Sequence, residues 1–223
     1  MQVSIFRLRD DSCEFPNPRE ARDDGLLAWG GDLSDQRLLE AYYNGIFPWS
    51  SQDDPLLWWS PNPRLLLFPT DFKISKSLSK SRKKFTVKYN SNFEAVIQKC
   101  SALRIEKKNG TWITTQMINA YIDLHHLGHA KSVECYRDGK LVGGLYGVMV
   151  GSVFCGESMF STENDASKIA LLALCEMMQK SGGEFIDCQM PTEHLISLGA
   201  KVVTRDVYLD LLFKCRDKKV DFS

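Results

Sequence analysis

KSVECYRDGKLVGGLYGVMVGSVFCGESMFS, from Lys131 to Ser161, decides the fold. It reads as three consecutive strands, because β-branched and aromatic residues run in short stretches broken by turn residues. Asp138-Gly139 is a hairpin signal, since both residue types tolerate the positive φ of a tight two-residue turn. Further on, Ile169, Leu172, Ala173, Glu176 and Met177 keep helical spacing as far as Gly182-Gly183, with Ser161 or Thr162 as candidate N-cap. EFIDCQM (Glu184 to Met190) predicts another strand, HLISLG (His194 to Gly199) a short helix, and KVVTRDVYLDLLF (Lys201 to Phe213) a strand-like tail. Hairpin, long helix, strand, helix, strand is an α+β plan on a mixed, largely antiparallel sheet.

Working towards the N-terminus, apolar spacing predicts helices over Thr115 to Leu127 and Tyr89 to Cys100. LLLFPTDFKISKSLSKSRKKF (Leu65 to Phe85) opens as a short strand and continues as a basic amphipathic element. Arg19 to Pro63 reads as short helices in loops, one of them capped by Ser34 and ended by Gly45. Four of the five tryptophans fall between Trp29 and Trp59, interleaved with Tyr42, Tyr43, Phe47 and many Gly and Pro residues. Rigid aromatic area without periodicity suggests a shaped receiving surface rather than core alone. We place a domain boundary near residue 90, dividing an aromatic and basic domain (1–90) from an α+β domain (91–223).

At 223 residues and 43% hydrophobic content the chain can bury a substantial core. Acidic and basic residues balance at 28 each, so the overall field selects no partner. The distribution is more telling: seven Lys or Arg and no acid lie between Lys73 and Lys88, the footprint of a polyanion contact. Seven dispersed cysteines without a Cys-x-x-Cys exclude a disulfide framework or zinc knuckle and suggest a reducing cytosol. No segment reaches membrane-spanning length and no leader is evident, so a cytoplasmic protein is expected. His125 and His129 stand one helical turn apart, but the intervening Glu of a zinc-peptidase helix is missing and no third ligand is evident.

The element order of the second half resembles the GNAT acyltransferase fold. Those enzymes hold the pyrophosphate of acetyl-CoA on a basic, glycine-rich turn at the start of the central helix. GESMFSTENDAS (Gly156 to Ser167) offers Glu157 and Glu163 there and no Arg, so CoA is a poor donor for this chain.

A wider set of motifs resembles one family, the bacterial leucyl/phenylalanyl-tRNA–protein transferases. They are FPNP (Phe15 to Pro18), DGLLAWGGDLS (Asp24 to Ser34), RLLEAYYNGIFPW (Arg37 to Trp49), LLWWSPNPR (Leu56 to Arg64) and GTWIT (Gly110 to Thr114). LHHLGHAKSVE (Leu124 to Glu134), LVGGLYGV (Leu141 to Val148), FCGESMFS (Phe154 to Ser161), NDASK (Asn164 to Lys168) and IDCQ (Ile186 to Gln189) follow in family order. The resemblance implies a small N-terminal domain before a GNAT-like domain, no metal or cofactor, and a monomer in the cytoplasm. It implies transfer of Leu or Phe, with Met a further candidate, from aminoacyl-tRNA to proteins whose N-terminus is Arg or Lys, marking them for N-degron degradation.

That reaction is aminolysis of an activated ester by an α-amine whose pKa, near 7.7–8.0, leaves a useful neutral fraction at neutral pH. Placement, removal of one proton and stabilisation of an oxyanion suffice. By alignment with the family, Leu145, Phe154, Met159, Leu171, Leu174, Met178 and Ile186 line an apolar slot for the amino acid. Leu145, Leu174 and Met178 depart from the Met and Phe types of some members, which alters the slot's shape. Tyr42, Trp49 and Trp112 are candidates for stacking on the terminal adenosine, and Trp58 and Trp59 are assigned to structure. Lys76, Lys80, Arg82, Lys83 and Lys84 would meet acceptor-stem phosphates. Glu157, Asp187 and Gln189 match the family's catalytic positions. There a proton path runs from the amine through Gln189 to Asp187, with Glu157 positioning the substrate. The sequence places Glu157 and Asp187 at the ends of neighbouring strands and Gln189 on the same strand face as Asp187. It leaves open whether Asp187 is a base or an electrostatic orienter.

Overall fold

The structure, a computed structural model, describes residues 5–51, 54–106 and 112–222; of residues 104–106 it describes the backbone only. Gly110 and Thr111 of the GTWIT motif lie outside the described residues. The first strands are β1 (Phe6–Arg7) and β2 (Leu26–Trp29), followed by helix α1 (Asp35–Tyr43), β3 (Phe47–Pro48) and β4 (Leu57–Trp59). These strands form a four-stranded sheet in the order β1-β2-β4-β3. The expected short helices in loops are thus corrected to a small sheet accompanied, among the described residues, by α1 and a 3-10 turn at Pro18–Glu20. Its strands are two to four residues long, too short to show alternation.

Next come β5 (Arg64–Leu67), α2 (Lys76–Arg82), β6 (Thr86–Tyr89), α3 (Phe93–Glu106) and α4 (Thr115–His126). The predicted helix from Tyr89 therefore starts four residues later, because Tyr89 ends a strand, paired with Val133. The decisive stretch is as expected: β7 (Ala130–Arg137), β8 (Lys140–Val150) and β9 (Val153–Ser161), with Asp138 and Gly139 both at positive φ in the first turn. Helix α5 (Ala166–Ser181) ends at Gly182, whose φ of 81° only a residue without Cβ adopts easily. Its N-cap is neither Ser161 nor Thr162 but Asp165, itself left-handed. Ser161 helps from outside the helix, its hydroxyl accepting the Ser167 N–H at 3.3 Å.

Strand β10 (Phe185–Asp187), helix α6 (Glu193–Ser197), β11 (Lys201–Val203) and α7 (Arg205–Cys215) complete the order. The strand-like tail is corrected to three strand residues and a helix. Arg205, Tyr208, Leu209, Leu212 and Cys215 are buried at helical spacing, and the Thr204 hydroxyl caps the Val207 N–H.

The second sheet has seven strands in the order β11-β5-β10-β9-β8-β7-β6, antiparallel throughout except for the β10–β9 pair. A boundary at residue 90 would sever it, since β5 lies inside the sheet and β6 forms its edge. The change from small to large sheet falls between Trp59 and Arg64. Leu27, Trp58 and Ile46 of the small sheet's region share one buried cluster with Val148, Tyr121 and Leu212, so the two sheets do not carry separate cores. Leu145, Phe154, Leu171 and Leu174 belong to a second cluster under α5, on the other side of the large sheet.

Candidate active site

One irregularity organises the site. In the β8–β9 ladder Tyr146 faces Ser158 and Gly147 faces Gly156, which leaves Glu157 as an extra residue. Side chains on a regular strand alternate, so Phe154 and Met159, five apart, would face opposite sides. The bulge reverses the alternation, and both face a cavity of about 1170 Å³ under α5. Gly147 permits this, since a Cβ there would sit 2.2 Å from the Cys155 carbonyl oxygen. The cavity is also lined by Leu145, Leu171, Leu174 and Ile186, so six of the seven expected slot residues come together. Met178 does not line it; it is fully buried in the core and packs against Gly183.

Glu157 is not at a strand end, as expected, but at the bulge, 7% exposed on the cavity wall. Its Oε1 accepts the Gln189 side-chain amide at 2.7 Å and its Oε2 accepts the Tyr121 hydroxyl at 3.1 Å. Tyr121 in turn shares a hydrogen bond with the Tyr42 hydroxyl. Burial pushes the Glu157 carboxyl up to about 7, against the hydrogen bonds from the tyrosines and Gln189, which favour the ionised form.

Asp187 does end β10, yet it is 0% exposed and does not line the cavity. Arg64 grips it with a two-pronged ion pair, Nε to Oδ1 at 2.8 Å and Nη2 to Oδ2 at 2.5 Å. The Tyr208 hydroxyl donates to Oδ2 at 2.9 Å and the Gln189 backbone N–H to Oδ1 at 2.9 Å. Gln189 has left the strand, with φ of 62°, so it does not share a strand face with Asp187. Its side chain meets Glu157, and only its backbone meets Asp187.

Around the mouth, Trp49, Trp59 and Trp112 line the cavity. Trp49 is 38% exposed and meets Trp59 edge to face at 5.4 Å, while the Trp59 indole donates to the Trp49 carbonyl at 2.6 Å. Trp59 therefore belongs to the site as well as the scaffold. Trp58 is structural as expected, buried with its Nε1 donating to Gly30 O at 2.9 Å. Tyr42 is buried behind Glu157 and offers no face for stacking. The lysines Lys76, Lys80, Lys83 and Lys84 are exposed along and just beyond α2. Lys80 and Lys84 line a second, smaller cavity with Arg137 and the turn before α5. Arg82 is committed elsewhere, in a double ion pair with Glu176 at 2.5 and 2.6 Å.

His125 is structural: its ring stacks on Phe93 at 4.4 Å and Nδ1 bonds the Ala130 carbonyl at 2.9 Å. Among the described residues no group of three His, Cys, Asp or Glu could hold a metal, and no helix is long and apolar enough to cross a membrane. In the turn where CoA enzymes carry a phosphate cradle, Glu163 is held by Arg137 at 2.7 Å and Asp165 by Lys168 at 3.1 Å. Arg64, Tyr208 and Tyr121 were not among the residues expected from sequence. An arginine heading the fully buried run RLLL was the available signal, since such a charge demands a buried partner.

Comparison with known proteins places the chain in a family. The family described as leucyl/phenylalanyl-tRNA protein transferase matches residues 66–213, and its N-terminal domain matches residues 31–62. A leucyl/phenylalanyl-tRNA–protein transferase of Sulfurimonas denitrificans is 55% identical over 94% of this chain and 92% of its own. One from Legionella pneumophila is 49% identical over 96% and 98%. Among solved structures, the C-terminal domain of a putative lysylphosphatidylglycerol synthetase from Agrobacterium fabrum aligns at 13% identity and TM-score 0.43, over 84% of this chain and 57% of that one. A GCN5-related N-acetyltransferase from Kribbella flavida aligns at 10% identity and TM-score 0.39, over 73% and 58%. On the family match and the relatives' identity and coverage, the chain belongs to the leucyl/phenylalanyl-tRNA–protein transferase family.

Proposed function

We propose that this chain transfers Leu or Phe, with Met a further candidate, from aminoacyl-tRNA to the N-terminal Arg or Lys of acceptor proteins in the cytoplasm, marking them for N-degron degradation. The observation that carries the reading is the single cavity in which an apolar slot, a tryptophan rim and a buried carboxylate meet. The amino acid side chain enters the slot. The terminal adenine stacks on the rim formed by Trp49 and Trp112. The acceptor's amine then lies beside Glu157, and its cationic side chain is drawn by the same carboxylate.

The neutral α-amine attacks the ester carbonyl carbon, forming the C–N bond. Glu157, held near 7, takes the amine's proton at a pH where it is still available as a base. Gln189 spends one amide N–H on Glu157 and keeps the second for the oxyanion. The tetrahedral species collapses with cleavage of the carbon–ribose oxygen bond, and Glu157 returns the proton to that oxygen. Asp187 takes no proton in this scheme, because Arg64, Tyr208 and the Gln189 N–H already occupy its oxygens. It orients Gln189. Exposed Lys76, Lys80, Lys83 and Lys84 hold the acceptor-stem backbone by charge, independent of sequence.

Purified protein should move labelled Leu or Phe from tRNA to a peptide beginning with Arg or Lys, without CoA or ATP. Absence of transfer with correctly charged tRNA would reject the proposal, and comparing Leu, Phe and Met tRNAs ranks the donors.

A further inference from the structure

We infer that Arg64 is a positioning residue of this active site, acting through Asp187 to set the backbone of Gln189. The inference rests on the transfer reaction proposed above. Gln189 is held in the left-handed region at φ 62°, where a residue with a Cβ does not settle unaided. Both of its backbone polar groups are held, one by Asp187 of β10 and one by Leu65 of β5. Its N–H bonds Asp187 Oδ1, the oxygen that also receives Arg64 Nε, and its carbonyl accepts the Leu65 N–H at 3.1 Å. The clamp is closed by Cys188, whose N–H donates to Leu65 O at 2.8 Å. In this backbone pose the Gln189 amide reaches Glu157 across the end of the β9–β10 pair.

Arg64 is itself immobilised. Its guanidinium lies over the Tyr208 ring at 4.2 Å and the Phe47 ring at 5.0 Å, and Nη2 also donates to the Tyr208 hydroxyl at 3.1 Å. A simple counter-ion would need only charge beside Asp187. What the structure supplies is a planar fork matched to both carboxylate oxygens, which a lysine cannot reproduce.

Arg64→Lys separates the two roles, since it keeps the charge and removes the fork. We expect folding to survive and the KM for aminoacyl-tRNA to stay near wild type, because Arg64 touches neither slot nor rim. We expect kcat to fall roughly 10- to 100-fold, the scale of a misplaced catalytic group. The acid limb of the kcat profile should also move to higher pH. Tyr42 from α1, Tyr121 from α4, Asp187 from β10 and, beyond Tyr121, Tyr146 from β8 surround Glu157 and are unchanged, whereas the Gln189 bond that favours its ionised form is removed. Tyr208→Phe, which removes one hydroxyl from the cluster, should move the same limb in the same direction by less. Wild-type kcat and an unmoved limb in Arg64→Lys would overturn the inference while leaving the transfer reaction standing. A fall in kcat that tracks a lowered melting temperature, with the limb unmoved in both variants, would overturn it too, assigning Arg64 to structure alone. A wild-type protein with no transfer activity would bring down both.

Discussion

Replacing Glu157 by Gln should make the protein more stable and less active, with a pH dependence that identifies the cause. Burial lifts this carboxyl from 4.5 to about 7 in the folded chain. Between those values the unfolded chain has released the proton and the folded chain retains it, so stability falls as pH rises and levels off above about 7. A rise of about 2.5 corresponds to roughly 3 kcal/mol at about 1.36 kcal/mol per unit. Gln carries no charge at any pH. It can accept from Gln189 and donate to Tyr121, whose hydroxyl can then donate to Tyr42, so the hydrogen-bond chain survives reversed. The variant should sit close to wild type at about pH 5 and lead by roughly 2–3 kcal/mol at pH 8, or about 5–10 °C in melting temperature for a chain of this size. Thermal unfolding of both proteins across that range measures the gap. Turnover should drop about 100-fold or more, the usual cost of losing a general base. A gap that stays constant from pH 5 to 8 would show that Glu157 is not held protonated by burial. Full turnover in the variant would remove it as proton acceptor.

Wild-type kcat should decline as pH falls through about 7, because the carboxylate is the active form, and a profile flat down to pH 5 would contradict that role. Trp49→Ala should raise the KM for a minimal aminoacyl-adenosine donor by the equivalent of about 1–3 kcal/mol, while Tyr42→Phe, behind the cavity, leaves it unchanged. Leu174→Phe narrows a slot wall that is fully buried, and competition between Leu-tRNA and Phe-tRNA should shift towards Leu by roughly tenfold. Neutralising Lys83 and Lys84 together should flatten the salt dependence of tRNA binding, its logarithmic slope falling by about 0.7–0.9 for each phosphate left without a cation. Arg82→Ala should flatten it less, since Arg82 is already spent on Glu176.

The hairpin strands and α5 were legible because their information is local. Asp138-Gly139 and Gly182 mark backbone angles that few residues adopt, and apolar spacing fills the intervals. The small sheet was not legible, since strands of two to four residues carry no period. Helix α7 was obscured by Val202, Val203 and Val207, whose β-branches suggest strand, although buried positions at 205, 208, 209, 212 and 215 follow a helix. Family resemblance named six residues that line the cavity and the candidates Glu157, Asp187 and Gln189, but not their arrangement. Bulge, ion pair and left-handed turn are products of pairing across the chain: Arg64 and Asp187 are 123 positions apart, Tyr121 and Glu157 are 36. Periodicity cannot report a partner at that distance, so Tyr42, an aromatic in an aromatic-rich stretch, was read as a stacking face when it is a buried hydroxyl donor.

The knot of Arg64, Asp187 and Tyr208 has a bearing on biosynthesis. Chains are made from the N-terminus, and the last member of this knot is encoded 144 positions after the first. A nascent polypeptide still short of α7 has the residues of the bulged hairpin and of the Arg64–Asp187 pair, yet lacks the Tyr208 ring and hydroxyl that hold the guanidinium and the second carboxylate oxygen. The knot is thus closed only when the end of the chain has been made, and its rigidity arrives with the completed fold.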